Sequence, residues 1–273
     1  MKIGVFDSGY GGLTVFKEFI KHLPEYDYIY LGDNARTPYG TRSFETIYRY
    51  TLQAVKKLFE LDCELVILAC NTASAKALPS IQKNDLPNLA PNKRVLGVIR
   101  PTVEAINKFT KTNTIGILGT SSTIASESYA LEIEKLFPQT TVVQQDCPMC
   151  VPLVENNEHN SDGANYFVKK YITQLLSKNK KIDTIVLACT HYPLLMPKIR
   201  SYLPKNINIL SQGKIVASSL TDYLDRHPEI DQKLSKNSQR LFFTTDVAQI
   251  FSEKAKIFLN IDLKPNVKKI ELD

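Results

Sequence analysis

Short apolar runs alternate along this chain with longer stretches in which apolar residues recur every three or four positions. The runs Lys2–Phe6, Tyr28–Leu31, Leu65–Ala69, Arg94–Ile99, Thr114–Leu118, Thr141–Val143, Asp183–Ala188, Asn208–Leu210 and Arg240–Thr244 read as strands. Between them the spacing predicts helices. Leu13, Phe16, Phe19, Ile20 and Leu23 fall on one face of the first, and Ser43–Leu61 is a long amphipathic one. Further helices are expected over Thr72–Gln82, from Pro101, up to Phe137, and over Asp162–Leu176, Pro193–Leu203, Lys214–Arg226 and Asp246–Leu259. Pro79 is expected to break or kink its helix, and Asn84–Asn92 and Gln144–Glu155 to be loops. Strands alternating with helices define an α/β fold with mostly parallel sheets. The unbroken apolar run Leu65–Ala69 suits a strand covered by helices on both faces.

One phrase occurs twice. Leu65-Val66-Ile67-Leu68-Ala69-Cys70-Asn71-Thr72 is matched by Thr184-Ile185-Val186-Leu187-Ala188-Cys189-Thr190-His191, its cysteine 119 positions on. The opening Ile3-Gly4-Val5-Phe6 is matched by Ile115-Gly116-Ile117-Leu118, 112 positions on. Two features repeating at nearly one offset imply two similar α/β halves related by a pseudo-twofold axis.

Composition narrows the class. The chain has 273 residues, 43% hydrophobic and 23% charged, as in a globular protein with a sizeable core. No apolar run approaches the roughly 18–20 residues of a membrane helix. The N-terminus enters a strand pattern directly, so no secretory signal is expected. A net charge of +6, without a dense Lys/Arg stripe, argues against a nucleic-acid partner. Five cysteines cannot all pair internally, which favours reduced thiols and a cytoplasmic chain.

Cys70 and Cys189 are the leading chemical candidates. Each follows a strand and precedes a predicted helix, where the helix N-terminus favours a thiolate over a free thiol of pKa about 8.5. Two facing thiols suit removal of a proton from one side of a carbon and return of one to the other. A redox pair is the competing chemistry. Asp7, before the turn Ser8-Gly9-Tyr10-Gly11-Gly12, could orient Cys70, bind an amino group, or cap the turn. His191, two residues after Cys189, could assist that thiol or pack. The turns at 9–12 and at Gly119-Thr120 offer N–H groups to an anion. They match neither a dinucleotide nor a phosphate-loop pattern, so no cofactor is expected. Cys147-Pro148-Met149-Cys150 lacks a second ligand pair, and no metal is expected there. Pro152 makes the helix opening usual for a redox motif less natural.

Several stretches together carry a resemblance: Phe6-Asp7-Ser8-Gly9 with Gly11-Gly12, Asp33 with Pro38-Tyr39-Gly40, Ala69-Cys70-Asn71-Thr72-Ala73-Ser74, Gly119-Thr120 with Thr123, Val151-Pro152-Leu153-Val154-Glu155, and Ala188-Cys189-Thr190-His191-Tyr192-Pro193-Leu194. In order and spacing the chain resembles the glutamate racemases of the cofactor-independent aspartate/glutamate racemase superfamily. The resemblance implies two α/β domains, 1–97 plus a returning tail 209–273 and 98–208, with the active site in the cleft between them. It implies Cys70 as the base for the D-isomer and Cys189 for the L-isomer, with Asp7 assisting the first and His191 and Glu155 the second. Asp7, Ser8, Pro38, Tyr39, Gly40, Asn71, Thr72, Thr120, Thr123, Thr190 and His191 would bind substrate. The family supplies D-glutamate for bacterial peptidoglycan without metal or pyridoxal phosphate, and a homodimer is expected. Its alternatives are a relative acting on another amino acid such as aspartate, or a protein that binds DNA gyrase.

The sequence departs from that pattern at three points. Arg100-Pro101-Thr102 has a cation and a Thr where an acid and a small residue are common. Ser211-Gln212-Gly213 replaces a commoner Asp-Ser-Ala, and Cys150 completes an extra CxxC. The chain begins almost at its first strand, so the extension through which some relatives sense a cell-wall precursor is not expected.

Overall fold

Lys2–Asp7 forms the central strand β1, buried from Ile3 onward. A computed structural model describes residues 1–259 and 267–273 of the chain. β1 pairs in parallel with β2 (Tyr28–Gly32) on one side and β3 (Cys63–Leu68) on the other, and β4 (Arg94–Gly97) lies beyond β3. The second sheet is built on β5 (Thr114–Gly119), flanked by β6 (Thr141–Asp146) and β7 (Thr184–Ala188), with β8 (Asn208–Leu210) outside β7. β9 (Arg240–Thr244) and β10 (Val267–Lys269) extend the first sheet beyond β2. The orders are therefore β10-β9-β2-β1-β3-β4 and β6-β5-β7-β8, and every described pairing is parallel.

The two halves match in register as well as order. Ile3 lies opposite Leu65, and Ile115, 112 positions after Ile3, lies opposite Thr184, 119 positions after Leu65. Phe6 opposite Leu68 becomes Leu118 opposite Leu187 at the same offsets. The doubled phrase is thus the same strand in two copies of one four-stranded unit, and each copy delivers its cysteine to the C-terminal edge of its sheet. Ligands of parallel α/β sheets gather at that edge.

Helices cover both faces of these strands. Leu13–His22 turns Leu13, Val15, Phe16 and Phe19 inward. The Phe16 ring meets Tyr28 and Phe242 edge-on, each at 5.5 Å between centroids. Burying one such ring contributes about 2–3 kcal/mol. Phe44–Glu60 starts at Ser43, whose hydroxyl accepts from the Thr46 N–H at 3.3 Å, and buries Ile47, Ala54, Val55 and Leu58. Asp162–Lys178 starts in the same way at Ser161. Gln212–Arg226 packs on Leu13–His22 of the first half and on Ile99–Ala105, which follows β4.

Two local expectations change. Helical structure continues through short segments to Leu89, with Pro79 and Pro87 each in the first turn of a new segment, where a missing N–H costs nothing. Part of the expected loop Gln144–Glu155 is a helix, Cys150–Glu155. Pro152 lies in its first turn, where N–H groups lack partners in any case. The strand β8 spans 208/209 and pairs with β7 of the second sheet.

Candidate active site

The strand ends converge on one cavity. It is lined by Ser8 after β1, by Cys70, Asn71 and Thr72 after β3, by Thr120 and Ser121 after β5, and by Cys189, Thr190 and His191 after β7. The loop residues Thr37 to Thr41 and the side chains of Pro148, Val151 and Pro152 close it. Of the residues expected to bind substrate, Ser8, Pro38, Tyr39, Gly40, Asn71, Thr72, Thr120, Thr190 and His191 line the cavity. Asp7, Thr123 and Glu155 stand behind it, each hydrogen-bonded to a group that does: Asp7 to Thr190, Thr123 to Thr72 and Thr120, and Glu155 to His191.

The two thiols have different surroundings despite their matching strands. Cys70 is the residue that starts the helix Asn71–Lys76, and its Sγ accepts from the Ala73 N–H at 3.5 Å. Ser8 Oγ lies 3.4 Å from the same sulfur. Burial pushes the Cys70 thiol up to about 12, and the neighbouring Asp7 charge adds to this; the bonds from Ser8 and Ala73 pull the other way. The expected helix-terminus activation is present in geometry but is outweighed by desolvation.

Cys189 has no such helix. Thr190 and His191 form a turn, followed by the tight turn Tyr192–Leu195, because Pro193 comes too soon for a regular helix to start at Thr190. What Cys189 has instead is an imidazole. His191 Nδ1 lies 3.9 Å from Sγ, and His191 Nε2 lies 3.0 Å from Glu155 Oε1. Burial alone would push the imidazole down. The bonds to Cys189 and Glu155 overcome this and hold it at about 10, so the ring is a cation at neutral pH. Glu155 reaches it from the end of the helix Cys150–Glu155, and its Oε1 also meets Thr37 Oγ1 at 3.4 Å.

Asp7 sits between the two sides. It is fully buried, which raises its carboxyl above the usual range, while His191 and the N–H groups of Gly12 and Gly9 lower it. Gly9 N donates to Oδ2 at 3.0 Å and Thr190 Oγ1 to Oδ1 at 3.4 Å. Glycine is needed in this turn. A Cβ at Gly11 would lie 2.3 Å from Thr190 Oγ1 and 2.4 Å from His191 Nδ1. At Gly40 a Cβ would lie 2.8 Å from the Thr120 Cβ, so the two halves meet there without room for a side chain.

Sequence reasoning missed Thr37, Thr41, Ser121, Pro148, Val151 and Pro152 as cavity residues. Val151-Pro152 was among the stretches carrying the resemblance; the others gave no signal. The pair Cys147 and Cys150 is buried beside the site, with both thiols free. β6 runs on to Asp146 and the helix begins only at Cys150, the last residue of the motif, so Cys147 precedes the helix. Among the described residues no cluster of three or more His, Cys, Asp or Glu side chains could hold a metal ion. Arg100 lies away from the thiols, on a second cavity, paired to Glu104 at 2.7 Å and Glu132 at 2.5 Å.

Two thiols delivered to one cavity by duplicated parallel sheets suit a racemase, and the chain belongs to the Asp/Glu/Hydantoin racemase family, whose model matches residues 11–220. It is similar to the glutamate racemase of Persephonella marina, 40% identical over 273 residues that cover all of this chain and 98% of that one. Among solved structures it resembles a glutamate racemase isoform of Bacillus anthracis with a TM-score of 0.89 at 34% identity, covering 99% of this chain and 97% of that one. It also resembles the glutamate racemase of Francisella tularensis in complex with D-glutamate, with a TM-score of 0.87 at 32% identity, over 100% of this chain and 98% of the other.

Proposed function

We propose that this enzyme interconverts L- and D-glutamate by a two-base mechanism in which Cys70 and Cys189 act on opposite faces of Cα. The observation that carries this reading is the pair of thiols on one cavity, one from each half of a duplicated fold. Glutamate as substrate is supported by relatives of that name over the full length of the chain.

Starting from L-glutamate, Cys189 as thiolate takes the Cα proton and becomes a thiol. The electron pair remains on Cα, drawn into the adjoining carboxylate. Cys70, as thiol, returns a proton to the other face and becomes a thiolate. One C–H bond breaks, another forms, and the two sulfurs exchange protonation states. From D-glutamate the steps run in reverse. Burial of the Cys70 thiol favours the protonated form that the L-direction requires. The His191 cation beside Cys189 stabilises negative charge on that sulfur.

Among the described residues, the cavity lining contains no Lys or Arg. Substrate carboxylates would be held by backbone N–H groups and by hydroxyls such as Thr72 and Thr120, whose Oγ1 atoms are 2.9 Å apart. Ser8 after β1 and Thr190 after β7 complete the polar set, with Asp7 behind Thr190. In the cell such an enzyme would supply D-glutamate for peptidoglycan, in the cytoplasm and as a homodimer.

Circular dichroism of L- and D-glutamate over time, with no cofactor added, tests the reading, and L-aspartate in the same assay tests the substrate. Loss of optical activity with glutamate is the expected result. A preference for aspartate would overturn the substrate assignment.

A further inference from the structure

Gln212 does not line the cavity. It opens the helix Gln212–Arg226, and its side chain is 3% exposed. Its Oε1 accepts from Asn71 Nδ2 at 2.5 Å. Its Nε2 lies 2.7 Å from Tyr129 Oη, 3.0 Å from Thr102 Oγ1, 3.1 Å from Asn71 Oδ1 and 3.5 Å from Val98 O. An amide nitrogen has two hydrogens, so at most two of these acceptors are well served at once.

The surrounding donors select which two. Tyr129 Oη donates to Asn71 Oδ1 at 2.7 Å, and Thr102 Oγ1 donates to Val98 O at 2.7 Å. Both hydroxyl oxygens are thereby left as acceptors, and they are the two nearest to Nε2. The chain of bonds then closes on itself: Gln212 gives to Tyr129, Tyr129 gives to Asn71, and Asn71 gives back to Gln212. Thr102 is the fourth member. The ring joins four segments: the start of the helix Asn71–Lys76, the helix Ile99–Ala105, the helix Ser128–Leu136, and the start of Gln212–Arg226.

Asn71 is the member that touches the cavity, directly after Cys70. Its Oδ1 and one Nδ2 hydrogen are taken by the ring, which fixes the amide plane and leaves one N–H over. We propose that Gln212 is a positioning residue for the thiol site: by locking the Asn71 amide it presents the remaining N–H to a substrate oxygen held beside Cys70. The proposal rests on the two-thiol reading for its substrate. Closed buried networks of this kind favour one geometry because an unmade bond in them is costly.

The test is a double-mutant cycle with a structural readout. Gln212→Met keeps volume and removes every polar contact. It is expected to lower kcat/KM for glutamate about tenfold, the effect of one misplaced hydrogen bond, and to change it less than about twofold when Asn71→Ala is already present. Independently of turnover, the two Asn71 Nδ2 protons should be well separated in the NMR spectrum of the wild-type protein. They should move together toward free-amide positions in Gln212→Met. Where Gln212→Met folds poorly, Tyr129→Phe, which removes one hydroxyl from the same ring, replaces it in both measurements. An unchanged Asn71 amide signal overturns the inference, as does an equal loss of kcat/KM with and without Asn71. If the wild-type protein does not racemise glutamate yet the amide signals collapse in the variant, the positioning role stands and the two-thiol reading falls.

Discussion

His191 Nε2 lies 3.0 Å from Glu155 Oε1 while the other ring nitrogen lies 3.9 Å from Cys189 Sγ, so one imidazole couples a carboxylate to a thiol. Only the Cys189 side has this arrangement. The fold duplicates the strands and the sulfurs but not the groups that tune them.

The ring's titration makes the first prediction. The imidazole is ordinarily near 6.5, and its bonds raise it to about 10 in the folded chain. A group raised on folding stabilises the folded state fully below its unfolded value and loses that contribution as pH climbs through the folded value. The His191 contribution is therefore complete below about 6.5 and gone above about 10. In Glu155→Gln one of the raising partners is lost, so the decline should still begin near 6.5 but end at lower pH, and its total size should shrink. Melting temperature measured between pH 6 and pH 10.5, roughly the span of that shift, checks this. Superimposable profiles would show that Glu155 does not act on the ring. Turnover of the same variant should fall on the order of 10²-fold, the scale of a lost acid–base partner.

Gly11 provides a second test. A methyl group there would meet Thr190 Oγ1 and His191 Nδ1 well inside contact distance. These are also the groups that face Asp7 and Cys189. Gly11→Ala should displace them and reduce kcat/KM on the order of 10²-fold, as small misplacements of catalytic groups do. A far-ultraviolet spectrum like that of the wild type with activity lost is the expected pair of results. Full activity would mean that the His191 position is not critical.

The third prediction concerns labelling. With its thiol held up at about 12, Cys70 should react slowly with iodoacetamide at neutral pH, since the thiolate is the nucleophile. Glutamate in the cavity should slow it further. Peptide mapping by mass spectrometry gives the rate at each cysteine, and rapid unprotected labelling of Cys70 would contradict the thiol form.

Much of this was readable before any coordinates. The continuous apolar run before Cys70 and its copy before Cys189 marked two buried parallel strands, and the offsets of 112 and 119 reappear as registered pairs in the two sheets. A helix just after Cys70 was also legible in the Ala-rich stretch from Thr72, although it begins one residue earlier, at Asn71, with the Cys70 sulfur at its start. The difference at Cys189 was not, since the shared phrase hides the effect of Pro193 two residues past His191. Nor was the ring around Gln212. It joins residues 71, 102, 129 and 212, and no local period links positions brought together by packing alone. Pro152 misled because its position within a first turn depends on where β6 ends.

The central claim is that both sulfurs are required, each for its own face of Cα. The most direct measurement is the circular dichroism time course of L-glutamate and of D-glutamate with wild type, Cys70→Ala and Cys189→Ala, each variant first shown to keep its fold. The account predicts that both substitutions slow racemisation in both directions on the order of 10³-fold or more. Near wild-type turnover in either variant would contradict it.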